Sequence, residues 1–315
     1  MKILLISYEI PPECAGIGYS FERFCSALER QGFEFDILVG NHCKKSLIPM
    51  ILRYWTTPKR YDLIHFWGGL PTLLLPIKTR PYILTVHGSD VPGRNKEYDS
   101  FFNKKWIPYS DAFLRAKSHY AVTEGLTKRV QRFYGIPCKT IPNGVSFKNI
   151  TRHPPINPMM VTVGRLIPLK RTELLIDMMQ HLPNGYLTIV GDGPMKLSLE
   201  HRAARLGVKP RIHFAGWSNP DEYLRDGYVY VSSADATGVP LAMYEAIEYR
   251  LPIVAVECPG MDLINYVGCD STGQSLAEGV RYCLETYNAC LPQPGVKTWD
   301  EVANEYIHEY ERIVK

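Results

Sequence analysis

Residues 228–262, YVYVSSADATGVPLAMYEAIEYRLPIVAVECPGMD, constrain the fold more than any other stretch of the chain. An apolar run, a tight loop, a helical stretch and a second apolar run follow one another. That succession is one βαβ unit, and parallel strands joined this way carry helices on the faces of their sheet. Pro240 at a first helical position, with Thr237, Gly238 and Val239 just before it, marks a helix start whose backbone N–H groups lack intrahelical partners. Such an end attracts phosphate. Glu245 lies four residues after Leu241 and shares its helix face, and a carboxylate there can accept two hydrogen bonds from a sugar diol. Nucleotide phosphate plus ribose fits both features; the alternative is an ordinary βαβ unit with a surface glutamate.

The same alternation runs through most of the chain. Strands are predicted at 2–7, 34–39, 63–66, 82–86, 119–122 and 139–141, with helices over 21–31, 107–118 and 124–134. The prolines and polar residues of 147–158, FKNITRHPPINP, then break the pattern. A second series follows, with strands at 159–163, 186–190 and 211–215 and helices over 171–181, 195–206 and 220–224, before the 228–262 unit. At 315 residues the chain is long enough for two cores. A last helix over 298–313 sets Trp299, Val302, Tyr306 and Tyr310 near one face.

Composition excludes several classes. With 45 % hydrophobic and 22 % charged residues the chain is of the soluble globular type, and no apolar run reaches the roughly 18 residues of a membrane helix. The opening MKILLISYEI reads as a buried strand rather than a signal peptide, because its apolar run is short and Glu9, Pro11 and Pro12 follow. Eight cysteines without a CxxC pair signal neither zinc nor a disulfide framework, which suits a reducing cytoplasm. Residues 1–145 hold 20 Lys and Arg against 12 Asp and Glu, whereas residues 146–315 hold 16 against 20. Basic residues beside aromatics at Arg53, Tyr54, Trp55, Lys59 and Arg60, and at Lys104, Lys105 and Trp106, suit an anionic lipid surface or simply a solvated one.

Ligands of open parallel sheets bind beyond the carboxyl ends of the strands. Gly16 and Gly18, in PPECAGIG after the first strand, give a turn that a phosphate or sugar can approach closely. The stretch is not GxGxxG, which argues against a dinucleotide dehydrogenase. His87 and Asp90 end the fourth strand in HGSD. GRLIPLK, 164–170, brings two cations, Arg165 and Lys170, to a strand end, one a planar fork and one a point charge, as a diphosphate clamp requires. VGDGP with Gly193 and AGW with Trp217 offer backbone groups for a base pocket.

GRLIPLKRTELLI, VGDGP, GVPLAMYEA, PNGV, PPECAGIG and HGSD together resemble the retaining glycosyltransferases of family 4, and the likeness covers nearly the whole chain. The resemblance implies an α/β GT-B fold, two Rossmann-like doubly wound domains facing a cleft. The domains expected are 1–150 on the acceptor side, 151–297 binding the nucleotide sugar, and 298–315 as a helix crossing back onto the first. It implies His87, Arg165 and Lys170 as catalytic residues. Gly16, Gly18, Gly193, Trp217, Thr237, Gly238, Val239, Pro240, Leu241 and Glu245 are implied as donor-binding ones. A UDP- or GDP-sugar is the substrate, no metal or other cofactor is needed, and no nucleic acid is a partner. The acceptor expected is a lipid-linked, glycan or other hydroxyl; cysteine usage and the basic front half put the expected location in the cytoplasm, in association with the inner face of the membrane. Two departures stand out. The family usually carries two glutamates with seven residues between them, and Thr237 occupies the first of these positions; Ala15 and Ser146 replace a usual Gly and Asp. A nucleotide-sugar epimerase of similar plan and a degenerate sugar-nucleotide-binding protein are the competing readings.

Overall fold

The structure, a computed structural model, describes residues 1–7, 16–40, 54, 61–68, 81–88, 91, 111–151, 153, 159–235, 239–258, 261, 264–292 and 295–315. Asp90, Ala15, Thr237, Gly238, Trp55, Trp106 and the basic residues Arg53, Lys59, Arg60, Lys104 and Lys105 lie outside them. The chain divides into two compact units, one of Met1–Gly144 with Lys297–Lys315 and one of Val145–Val296.

The first unit is built from β1 (Ile3–Ser7), α1 (Gly16–Arg30), β2 (Phe35–Val39), β3 (Leu63–Trp67) and β4 (Tyr82–Val86). It continues with α2 (Asp111–Leu114), β5 (Ser118–Ala121), α3 (Glu124–Tyr134) and β6 (Lys139–Thr140). The strands form one parallel sheet in the order β2-β1-β3-β4-β5-β6. The second unit contains β7 (Met159–Val163), α4 (Thr172–Met178), β8 (Tyr186–Val190), α5 (Lys196–Arg205), β9 (Ile212–Gly216) and α6 (Pro220–Asp226). After these come β10 (Val229–Ser232), α7 (Leu241–Glu248), β11 (Ile253–Val256), β12 (Val267–Cys269), α8 (Gly273–Glu285) and α9 (Tyr287–Cys290). Its sheet is also parallel, in the order β12-β11-β10-β7-β8-β9. The final helix, α10 (Trp299–Val314), belongs to the first unit.

Two boundaries in the first unit differ most from the sequence expectation. The helix after β1 starts at Gly16, five residues before the predicted Phe21, so Gly16 and Gly18 lie in its first turn rather than in a loop. Glycine weakens helices but is compatible with a first turn, and tertiary packing of Phe21, Phe24 and Leu28 outweighs that propensity. The stretch 107–118 is helical only over α2 among its described residues, since Ser118 already pairs with Ile83 in the sheet. The elements β12 and α8 had no predicted counterpart, although Thr272 caps the amide of Ser275 and apolar residues recur at 276, 280 and 283.

Alternation along the parallel strands sorts the core of the first unit. Leu4, Ile6, Ile64, Phe66, Leu84 and Val86 pack on one face. Ile3, Leu5, Leu63, Trp67 and Ile83 pack on the other against α1 and α10, which contributes Trp299, Val302, Tyr306 and Tyr310. A capping box at Thr298 and Glu301 starts α10. An exposed Arg30 to Asp300 pair at 2.7 Å ties it to α1 and adds little beside the aromatic burial.

Within that apolar face lies a fully buried polar chain. His65 Nδ1 is 2.6 Å from the Tyr310 hydroxyl and Nε2 is 2.7 Å from Thr85 Oγ1, which is 2.8 Å from the Tyr306 hydroxyl. Burial, with the neighbouring His87, pushes the pKa of His65 down to about 3. His87 is pushed by burial to about 3 as well. An unfolded histidine titrates near 6.5, so below that pH the unfolded chain binds protons that the native state refuses, and stability falls. Each such histidine costs roughly 1.4 kcal/mol per pH unit below about pH 6. Urea denaturation at pH 7, 6 and 5 is expected to show this decline, with a shallower slope in His65→Gln by one proton; an unchanged slope in that variant refutes it.

Candidate active site

In the second unit the strand order reverses between β7 and β10: later strands are added on β10's side and β8 and β9 on β7's side. The carboxyl ends of two strands at such a switch point leave a crevice between diverging loops. A cleft is found at that place, lined among others by Gly164, Lys170, Ser233, Ala234 and Pro240.

Each wall has a local reason. Beyond Val163 the chain turns at Gly164, whose N–H donates to Val190 O at 2.9 Å. Leu166 is buried, while Arg165 before it is exposed. A short 3-10 turn, Pro168–Lys170, then brings Lys170 back, and its aliphatic stem lies over the Gly164 backbone. Arg171 follows with φ 48° and ψ 36°, a left-handed conformation that costs a non-glycine residue about 1 kcal/mol. Its guanidinium is held by Ser271 Oγ. On the other wall Pro240 is the N-cap of α7, at φ −59° and ψ 142°, and no side chain caps the helix. Pro240 was expected as the first helical residue; its extended ψ makes Leu241 the first instead. The open end of α7 still faces the cleft through Pro240.

Glu245 is partly exposed one turn beyond Leu241, and its charge acts on Tyr230, another residue of the cleft. Burial first, and Glu245 further, push the Tyr230 phenol upward. Val239 is buried against the core under α7. Gly193 lies where the two glycine loops cross: a Cβ there would stand 2.5 Å from Leu166 O, and Leu166 N donates to Asp192 O at 2.9 Å. Close backbone packing is therefore one reason for this glycine. Trp217 is 68 % exposed after β9, the edge strand, and is not among the residues lining the cleft.

The structure thus brings Lys170 and Pro240 to one cleft, with Arg165 on the same loop as Lys170 and Glu245 one turn along α7. His87, Gly16 and Gly18 belong to the first unit. His87 follows β4 with both ring nitrogens shielded, and its ring centroid lies 4.9 Å from that of Trp67. Two residues escaped sequence reasoning. Ser233 fastens the Lys170 turn, and fully buried Glu248 at the far end of α7 accepts the Ser146 amide at 2.8 Å. Among the described residues no group of three or more His, Cys, Asp or Glu is placed to hold a metal ion. No helix of those residues is long and apolar enough to cross a membrane.

Two parallel six-stranded sheets of this order are the architecture of GT-B proteins. The fold of Anabaena Alr3699/HepE in complex with UDP-glucose matches with a TM-score of 0.72 at 19 % identity, covering 99 % of this chain and 98 % of that one. Sucrose-phosphate synthase from Thermosynechococcus elongatus matches with a TM-score of 0.74 at 16 % identity, over 99 % and 98 %. Residues 15–148 match the family described as Glycosyltransferase Family 4, and residues 146–273 match Glycosyl transferases group 1. The chain belongs to this group of GT-B glycosyltransferases. The Bacillus subtilis putative teichuronic acid biosynthesis glycosyltransferase TuaC is 24 % identical over 226 residues, 64 % of this chain and 54 % of its own length. The Rhizobium meliloti lipopolysaccharide core biosynthesis glycosyltransferase LpsE is 30 % identical over 104 residues, 33 % of this chain and 31 % of its own length. The chain thus spans about a third to a half of the length of these curated relatives.

Proposed function

We propose that the chain transfers a sugar from a nucleotide-sugar donor to an acceptor hydroxyl, with retained configuration and without a metal ion. The cleft at the β7/β10 switch point carries this reading, because Lys170 and the uncapped start of α7 at Pro240 both line it. The departing nucleoside diphosphate gains negative charge as the glycosidic bond breaks. Groups held in place for that charge act most strongly in the transition state. Lys170, Arg165 and the α7 start take this role in place of a divalent cation. Glu245 receives the ribose hydroxyls, and the loop of Gly193 borders the base. The acceptor hydroxyl attacks from the face the diphosphate leaves, and its proton passes to the departing phosphate oxygen, so no enzyme nucleophile is required.

UDP is the favoured nucleotide, by likeness of fold to HepE in complex with UDP-glucose. The names of TuaC and LpsE favour a glycan or lipid-linked acceptor. A thermal-shift series with UDP, GDP and ADP in EDTA tests the donor reading. A nucleotide at 100 times its Kd stabilises by about 2.7 kcal/mol, roughly 5–10 °C for a unit of this size. UDP is expected to shift the melt most; indifference to all three nucleotides, or a shift that needs added metal, overturns the reading.

A further inference from the structure

The 3-10 turn that carries Lys170 is closed by two backbone bonds of its own, Lys170 N–H to Ile167 O at 2.9 Å and Arg171 N–H to Pro168 O at 3.0 Å. No side chain caps its start at Ile167, and it ends in the left-handed Arg171. Three further hydrogen bonds tie the turn to the end of β10. Ser233 Oγ, 1 % exposed, donates across both the Lys170 carbonyl at 3.0 Å and the Arg171 carbonyl at 2.8 Å. The Asp235 amide donates to Leu169 O at 3.0 Å. The hydroxyl is the only side-chain member of this set, and it sits in the wall of the cleft that Lys170 also lines.

We infer that Ser233 is a positioning residue for sugar transfer: its hydroxyl fixes the turn so that the Lys170 ammonium stays over Gly164, at the diphosphate end of the cleft. This rests on the proposed role of Lys170. Arg171 O also receives Leu174 N at 2.9 Å, so the start of α4 is anchored without Ser233, whereas Ser233 supplies the fixed partner on the Lys170 side of the turn. Losing the hydroxyl therefore loosens the seat of the turn on β10, leaving the Asp235 amide as its remaining bond from that strand end, and spares the helix. An ammonium that wanders still attracts the ground-state diphosphate. It no longer meets the charge that develops on the leaving oxygen, where preorganisation matters most. The consequence falls on kcat rather than on the KM for donor, because small displacements of a charge-stabilising group are costly in rate.

The test is a double-mutant cycle on the full chain, with UDP-glucose as donor probe and release of UDP in the presence of acceptor as readout. Ser233→Ala is expected to lower kcat on the order of 10- to 100-fold with KM changed less than about threefold. Ser233→Thr, which restores the hydroxyl, is expected to recover most of that loss. In the Lys170→Ala background, adding Ser233→Ala should cost nothing further. Circular dichroism and the melting midpoint verify that Ser233→Ala folds. A Ser233→Ala enzyme of normal kcat, or one whose loss simply adds to that of Lys170→Ala, overturns the positioning role while the clamp stands. If Lys170→Ala alone turns over normally, the clamp reading beneath it fails, and the positioning role with it.

Discussion

Replacing Arg165 and Lys170 together by alanine is expected to reduce kcat/KM for sugar transfer by roughly 10³-fold or more, about 4 kcal/mol of transition-state stabilisation. The expectation follows from where the two charges stand. Arg165 is exposed and Lys170 only partly buried, so neither contributes to the core, and the core beneath them is completed by Leu166. The melting midpoint should therefore stay within a few degrees of the parent. Rate alone is affected, because a diphosphate leaving without fixed cations must be stabilised by solvent. The two single variants should each lose less than the pair, and their losses need not sum, since one cation can partly cover for the other. Steady-state kinetics at saturating acceptor, beside thermal melts of all four proteins, decides the matter. A double variant that transfers at near-parent rate removes the clamp.

Much of the fold was legible because parallel βαβ units write themselves as apolar runs bounded by glycine and proline. Tyr82–Val86, Met159–Val163, Tyr186–Val190 and Glu124–Tyr134 fall where the pattern puts them, to the residue. The helix starting at Gly16 did not, since two glycines read as a turn while the packing that overrides them comes from residues distant in sequence. The α8 helix was missed although Thr272 and the apolar spacing at 276, 280 and 283 mark it; two glycines, Gly273 and Gly279, weaken that signal, and both pack closely against neighbouring elements. For the site, the motif residues were legible and their grouping was not. Strand order is a tertiary fact, and it is the reversal between β7 and β10 that selects which loops share a cleft. Gly164, Arg165, Lys170 and Pro240 come from those two strands' loops. Trp217 follows β9, two strands away from β7. Ser233 gave no signal in the sequence, because a serine after a strand has its meaning only from the carbonyls it meets.

A single methyl group at Gly191 is expected to be the most damaging small change in the second unit. β8 ends there, the Gly191 amide donates to Gly216 O at 2.7 Å, and φ is +139°. A Cβ at this position would stand 2.0 Å from the carbonyl oxygen of Gly164 and 2.9 Å from its carbon. These are backbone atoms of a neighbouring strand end, so relief requires moving β7's exit rather than rotating a side chain. Backbone strain of about 1–2 kcal/mol and overpacking of about 1–3 kcal/mol combine to roughly 3 kcal/mol for Gly191→Ala. Gly207 provides the control, because its φ is +68° and nothing lies within 4 Å of a Cβ built there. Gly207→Ala thus carries strain alone, about 1 kcal/mol. The displaced Gly164 is also the floor on which the Lys170 stem rests. Gly191→Ala should therefore lose its stabilisation by UDP as well as its stability, and Gly207→Ala should keep the nucleotide response of the parent. Urea denaturation of both variants, with and without UDP, separates the two effects. Equal destabilisation of the pair, or an undiminished UDP response in Gly191→Ala, shows that the crossing of the two glycine loops does not shape the cleft.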